Sequence, residues 1–155
     1  GNGGSGATAN MFDEIILSMN YELAEKGIKY RVRSYSLNIS TVHLAETIHH
    51  QEYHMIFGNQ LNFKGSEQDL LIAISGSGNS QNVVEAIKAA DTFDMETIGL
   101  TGMGGGIISK MVQNGLIVNS NNMLQIENVH SILLHMILDE VKTRLIMFSQ
   151  EQGGL

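Results

Sequence analysis

Asp69-Leu70-Leu71-Ile72-Ala73-Ile74-Ser75-Gly76-Ser77-Gly78-Asn79-Ser80 is the stretch that decides the fold of this chain. Residues 69–75 form a near-continuous apolar run, the pattern of a strand covered on both faces, as in a parallel sheet. Residues 80–92 then read as an amphipathic helix, with Val83, Val84, Ile87 and Ala90 on one face and Asn79 or Ser80 as N-cap. Residues 96–101 repeat the apolar strand pattern. Strand, helix and strand in about thirty residues make a βαβ unit.

The alternation continues outward. Residues 106–114 read as a short helix and 116–119 as a further strand. Upstream, residues 7–26 read as a long helix, 30–35 as a more exposed strand, and 41–57 as helical. Residues 123–148 are the longest helix. Its apolar stripe is Ile126, Val129, Ile132, Leu133, Met136, Ile137 and Val141, with Leu124, Leu134 and Leu138 on other faces. A helix apolar over more than one side belongs in a core or an oligomer interface. The expected architecture is a three-layer α/β/α sandwich with a mostly parallel sheet, in one domain over residues 1–155.

Composition narrows the function. The 155 residues include no Pro, Cys or Trp, so a disulfide or Cys-based zinc scaffold is excluded. A net charge of −7 and a pI near 5.2 argue against nucleic acid and against an anionic membrane surface. No apolar run reaches the length of a membrane span. A cytoplasmic setting is expected. Thirteen of the 17 glycines fall in four clusters, at 1–6, 76–78, 99–106 and 153–154, so tight backbone is needed at particular points. Residues 153–155 read as a tail.

The turn after the first apolar strand carries the strongest chemical signal. Ligands of a parallel sheet bind beyond the carboxyl ends of its strands. Gly76 and Gly78 let the backbone approach a ligand, while Ser75, Ser77, Ser80 and Asn79 supply donors. The following helix N-terminus adds unpaired N–H groups and partial positive charge. Together they read as a neutral phosphate cradle. A P-loop is excluded, because no Lys follows these glycines. Gly1, Gly3 and Gly6 spell a literal GxGxxG, but the next strand ends Ser34-Tyr35-Ser36 without the acid that a dinucleotide ribose needs. The opening Gly1-Asn2-Gly3-Gly4-Ser5-Gly6, taken alone, is equally a flexible linker or a functional loop.

Other groups are weighed in turn. Gly102 and Gly104–Gly106 read as a close-packed turn rather than a ligand contact. His50 and His54 lie four apart, but the zincin pattern needs Glu directly after the first His, and Gln51 stands there. A solvated helix face is the better reading. Glu127, His130 and His135 open the last helix and can serve acid–base chemistry. They serve equally as a helix-terminus charge and two packing histidines.

With these motifs in place, the chain resembles the SIS (sugar isomerase) domain family, in its phosphoheptose isomerase-like branch. The likeness rests on Gly1-Asn2-Gly3-Gly4-Ser5, on residues 71–80 with Asn82-Val83-Val84, on Thr97-Ile98-Gly99-Leu100-Thr101-Gly102, and on Ile126, Val129-His130 and His135. It implies a flavodoxin-like sandwich that binds phosphorylated sugars, commonly as a homotetramer. It also makes the opening glycines the loop after a first sheet strand, so an N-terminal helix and that strand are expected to be missing here. Asn2, Ser5, Ser75, Ser77, Asn79 and Ser80 would hold the phosphate.

The branch interconverts sedoheptulose 7-phosphate and a heptose 7-phosphate through an enediol, with a His and a Glu on the first helix and a Gln and a His on the last. Here Met11 and Ile15 occupy the first pair, Glu127 replaces the Gln, and His135 matches. The usual phosphate-loop Thr is Gly76. No cofactor is expected; the resemblance leaves zinc open, but two of its ligand positions are lost here. Other SIS isomerases, such as 6-phospho-3-hexuloisomerase, are similar in Ser-Gly-Ser-Gly and place a catalytic Glu near position 127. The expectation is an aldose–ketose isomerase with Glu127 as base and His135 or His130 assisting ring opening. The alternative is a non-catalytic SIS module that senses sugar phosphates or binds protein.

Overall fold

A computed structural model describes residues 1–38, 41–50 and 52–152; the presumed tail at 153–155 and Gln51 of the histidine pair lie outside them. Among the described residues, β1 (Leu70–Ser75), β2 (Glu96–Thr101) and β3 (Asn114–Ile117) form a parallel sheet in the order β1-β2-β3. Leu70 pairs with Glu96, Ser75 with Thr101, and Ile98 with Asn114.

Side chains alternate across these strands, as the period of two requires. Leu71 and Ala73 point into a core with Val83, Val84, Ile87 and Ala90 of α4 (Gln81–Thr92), joined by Ile56, Phe57 and Leu61. Ile72, Ile74, Ile98 and Leu100 face the other way, onto Ala9 and Phe12 of α1 (Gly3–Glu25) and Leu134 of α5 (Met123–Gln152). Away from the sheet, Ile16, Met19 and Leu23 of α1 pack against Leu138 of α5. The result is the expected α/β/α sandwich, with α1 and α5 on one face and α4 on the other.

Several elements depart from the sequence reading. The opening glycines are not a loop: Asn2 is the N-cap and α1 begins at Gly3, because the Asn2 carbonyl already accepts from Gly6 N at 3.2 Å. Residues 30–35 form no strand. Asn20 of α1 clasps Val32 on both sides, donating to its carbonyl at 2.7 Å and accepting from its N–H at 3.0 Å, so a side chain substitutes for a ladder neighbour. The stretch 41–57 breaks into α2 (Thr41–His49) and a single 3-10 turn, Tyr53–Met55. The chain then reverses into α3 (Gly58–Lys64), which the reading did not contain. Gly58 allows this, for its backbone passes the Glu85 carbonyl of α4 with little room for a side chain. His50 and His54 therefore share no helix; His50 instead pairs with Glu46 at 3.1 Å.

Residues 106–114 hold only a 3-10 turn, Ile108–Lys110, because the left-handed run Gly104–Gly106 uses up the connection and β3 starts at Asn114, two residues early. In α5 the buried row is Ile126, His130, Leu134 and Leu138, four residues apart. Ile132 (58 % exposed) and Met136 (63 %) of the expected stripe face outward instead. No helix among the described residues is long and apolar enough to cross a membrane.

Candidate functional site

Beyond the carboxyl end of β1 lies a cleft of about 210 Å³, lined by Asn2, Ser5, Ser75, Ser77, Ser80 and Glu127, with Gly3, Gly4, Gly76 and Met123. The sandwich brings these residues together by aiming two helix starts at one point. α1 and α4 lie on opposite faces of the sheet, yet each begins beside the end of β1. Neither start is capped by a side chain, although Asn2 and Ser80 are both good capping residues. Their side chains are committed elsewhere. Ser80 Oγ accepts the Ser75 hydroxyl at 3.1 Å, which leaves the Ser80 proton available for a ligand. Asn2 exchanges two hydrogen bonds with Asn82, Nδ2 to Oδ1 at 2.9 Å and the reverse at 2.8 Å. The first N–H groups of both helices, with their partial positive charge, are thus left for an anion.

A second glycine loop buttresses the first. Gly102 N donates to Gly76 O at 3.0 Å and Ile108 N to Gly78 O at 3.0 Å. A Cβ on Gly78 would overlap the Gly105 carbonyl, so the two backbones touch with no side chain between them. The loop at 102–106 therefore packs and does not line the cleft. Asn79 belongs to this buttress too. Its Oδ1 accepts from Ile107 N at 3.0 Å and its Nδ2 donates to Ser77 O at 2.9 Å. It is absent from the cleft lining, and its amide shapes the turn that carries Ser77.

Glu127 is half-buried on the first full turn of α5, and its carboxylate lies against Gly4, where a Cβ would overlap all three carboxyl atoms. One turn earlier on α5, Met123 places its sulfur where a Gly76 side chain would stand. A thioether thus fills the space over Gly76, so that wall of the cleft is apolar.

The histidines sit elsewhere. His130 is fully buried, and its Nε2–H donates to the Thr101 carbonyl at the end of β2, 3.1 Å away, while Nδ1 has no partner. Burial holds its pKa below the usual imidazole value, against smaller opposing effects of the Thr101 bond and Glu127. It is a neutral tie between α5 and β2, with no access to the cleft. His135 donates Nδ1–H to Ser131 O at 2.8 Å and lines a separate groove of about 70 Å³ between α1 and α5, with Ile15, Glu22 and Asp139. Met11 contacts Ser131 Oγ at 3.7 Å. The donor set around Met11, Ile15 and His135 does not fit zinc: among the described residues no three His, Asp or Glu side chains are close enough to hold a metal ion.

Met123 lines the cleft and Asn82 holds Asn2, and sequence reasoning gave neither a role at the site. The available signal for Asn82 was a polar residue on the buried face of an amphipathic helix.

The SIS domain family profile matches residues 1–102. The chain is 35 % identical over 143 residues to phosphoheptose isomerase 1 of Campylobacter jejuni, covering 90 % of this chain and 74 % of that protein. It is 34 % identical over 139 residues to the phosphoheptose isomerase of Helicobacter pylori strain P12, covering 90 % and 70 %. Among solved structures, the phosphoheptose isomerase of Neisseria gonorrhoeae superposes with a TM-score of 0.82 at 32 % identity, over 92 % of this chain and 73 % of that one. The Francisella tularensis enzyme gives 0.78 at 28 % identity, over 89 % and 70 %. Two helix starts facing one serine-rich cleft are thus set in a chain that belongs to the SIS domain family, in its phosphoheptose isomerase-like branch.

Proposed function

We propose that this chain is a cytoplasmic aldose–ketose isomerase for sugar phosphates of the sedoheptulose 7-phosphate class, acting as a single SIS domain. The observation that carries it is one cleft holding two uncapped helix starts, the hydroxyls of Ser5, Ser75, Ser77 and Ser80, and the Glu127 carboxylate. The serines and helix N–H groups bind the phosphate. That contact is the same in substrate and transition state, so it sets KM more than kcat.

Glu127 moves the proton. Its carboxylate removes hydrogen from C1 of the ketose, the C2 carbonyl oxygen gains a proton from solvent, and an enediol forms. The Glu127 acid exchanges its proton with solvent and protonates C2 as the C1 hydroxyl proton leaves, giving the aldehyde. His135 faces the α1–α5 groove and His130 is buried, so among the described residues that line the cleft Glu127 is the one with a titratable side chain.

The test is sedoheptulose 7-phosphate in D₂O, followed by NMR. The expected result is an aldose product with deuterium from solvent, and a Glu127→Gln variant slowed about 10²–10⁴-fold in kcat with KM within about threefold. Full turnover by Glu127→Gln would overturn the assignment. Met11 and Ile15 favour the second reading, a non-catalytic module, which predicts binding without exchange. The activity of the relatives favours the isomerase. We also propose a homotetramer, supported by the exposed apolar side chains of Ile132 and Met136 on α5 and of Leu17 on α1.

A further inference from the structure

We infer that Asn82 and Tyr53 are positioning residues, which act through Asn2 to hold the two helix starts at the separation that a phosphate requires. The inference rests on the sugar-phosphate reading of the cleft. Asn82 is the second residue of α4 and only 2 % exposed, an uncommon place for a primary amide unless its partners are fixed. Its partner is Asn2, 80 residues away, at the start of a helix on the opposite face of the sheet. The two amides satisfy each other reciprocally, at 2.9 and 2.8 Å. Tyr53, on its single 3-10 turn, donates its hydroxyl to the same Asn2 Oδ1 at 3.1 Å.

Asn2 Oδ1 therefore receives two donors, which fixes the orientation of its amide and turns it away from capping its own helix. One Nδ2 proton is used on Asn82 and the other remains for a ligand in the cleft that Asn2 lines. The bridge crosses the end of β1, so it sets the distance between the N–H groups of α1 and those of α4. An anion shared between two rigid donor sets loses affinity when one set shifts, because its hydrogen bonds lengthen on one side.

The experiment measures inorganic phosphate binding by calorimetry, and KM and kcat with sedoheptulose 7-phosphate, for wild type, Asn82→Ala, Asn2→Ala, the double variant and Tyr53→Phe. Asn82→Ala is expected to raise the phosphate Kd and KM about tenfold, as the Asn2 amide it held no longer keeps its hydrogen bond to the ion, with kcat changed less than about threefold. Because Asn82 acts through Asn2, the double variant is expected to bind no worse than the weaker single variant. Tyr53 is 46 % exposed and its hydroxyl bonds only Asn2 among the described contacts, so Tyr53→Phe tests the network without threatening the core. It is expected to raise KM about two- to threefold at unchanged melting temperature.

A merely structural Asn82 would lower stability and leave the Kd of the folded protein unaltered; that result overturns the inference, as do additive losses in the double variant. Should Asn82→Ala fail to fold, wild-type KM in Tyr53→Phe overturns it. Failure of the wild type to bind phosphate instead sinks the sugar-phosphate reading of the cleft, and this inference with it.

Discussion

At Gly4 and Glu127 a carboxylate rests on a helix backbone with no Cβ between them. Two effects compete in Gly4→Ala. Alanine favours a helix over glycine by about 0.5–1 kcal/mol, while its methyl group evicts the Glu127 carboxylate. Stability should therefore change by less than about 1 kcal/mol, whereas a carboxylate displaced by about 1 Å costs turnover on the order of 10²-fold. Thermal melts and initial rates on one preparation separate the two effects. His130 gives a prediction in pH. Its folded pKa lies below the ordinary 6.5, so between the two values the unfolded chain holds the extra proton. The His130 contribution to stability is complete above pH 6.5 and is lost as the pH falls through the window below it. Melting temperature should drop from pH 7.5 to 5.5, and His130→Gln, which takes up no proton there, should flatten that dependence. Met123 fills the space over Gly76 and closes that wall of the cleft, and neither residue signals the other in the sequence.

At the scale of elements, the two strand-to-helix corners work as a pair. Gly78 has φ +66° and its backbone touches the Gly105 carbonyl, so Gly78→Ala meets both strain and collision. A loss of about 2 kcal/mol and a melting point lower by roughly 4–8 °C are expected, together with weaker phosphate binding. A melting curve like that of the wild type would show that the two loops are not in contact. The β1–α4–β2 unit was legible because a run apolar on both faces and a helix apolar on one face have different periods. The packing role of residues 102–106 was legible for a similar reason, since five glycines within 99–106 leave little side chain to meet a ligand. The start of α1 was not legible, because glycine carries no helical signal and Gly3–Gly6 enter the helix through backbone bonding alone. Segment 30–35 alternates like a strand, yet its partner is the Asn20 side chain, which no periodicity reports. The buried row of α5 was misjudged because apolar residues surround the helix, and the sheet selects the row spaced by four. Serines and Glu127 were legible as candidates, and the structure gathers them at one cleft; the Asn2–Asn82 bridge was not legible, since it joins residues 80 apart.

For the whole molecule, the outward-facing Ile132 and Met136 stand on the helix that also supplies Glu127. If copies assemble through this face, Ile132→Glu should convert the tetramer to smaller species in light scattering, while each chain keeps its fold because the side chain lies outside the core. Wild-type protein running as a monomer would remove the tetramer proposal and leave the cleft chemistry standing. The same helix has unequal ends. Near its start, Ile126 fills the space beside Gly102 and His130 is bonded to Thr101, so the helix is fastened at the end of β2 both before and after Glu127. Beyond Leu138 most of its residues are exposed or half-buried. α5 is in effect a beam held hard at one end and more lightly along the rest. There Val141, Leu145 and Ile146 lie on the α1 core and Lys142 pairs with Glu22, while the carboxylate sits inside the firm hold. Load hung on the lightly held length, whether another copy of the chain or thermal bending, is taken up there before it reaches the Glu127 carboxylate.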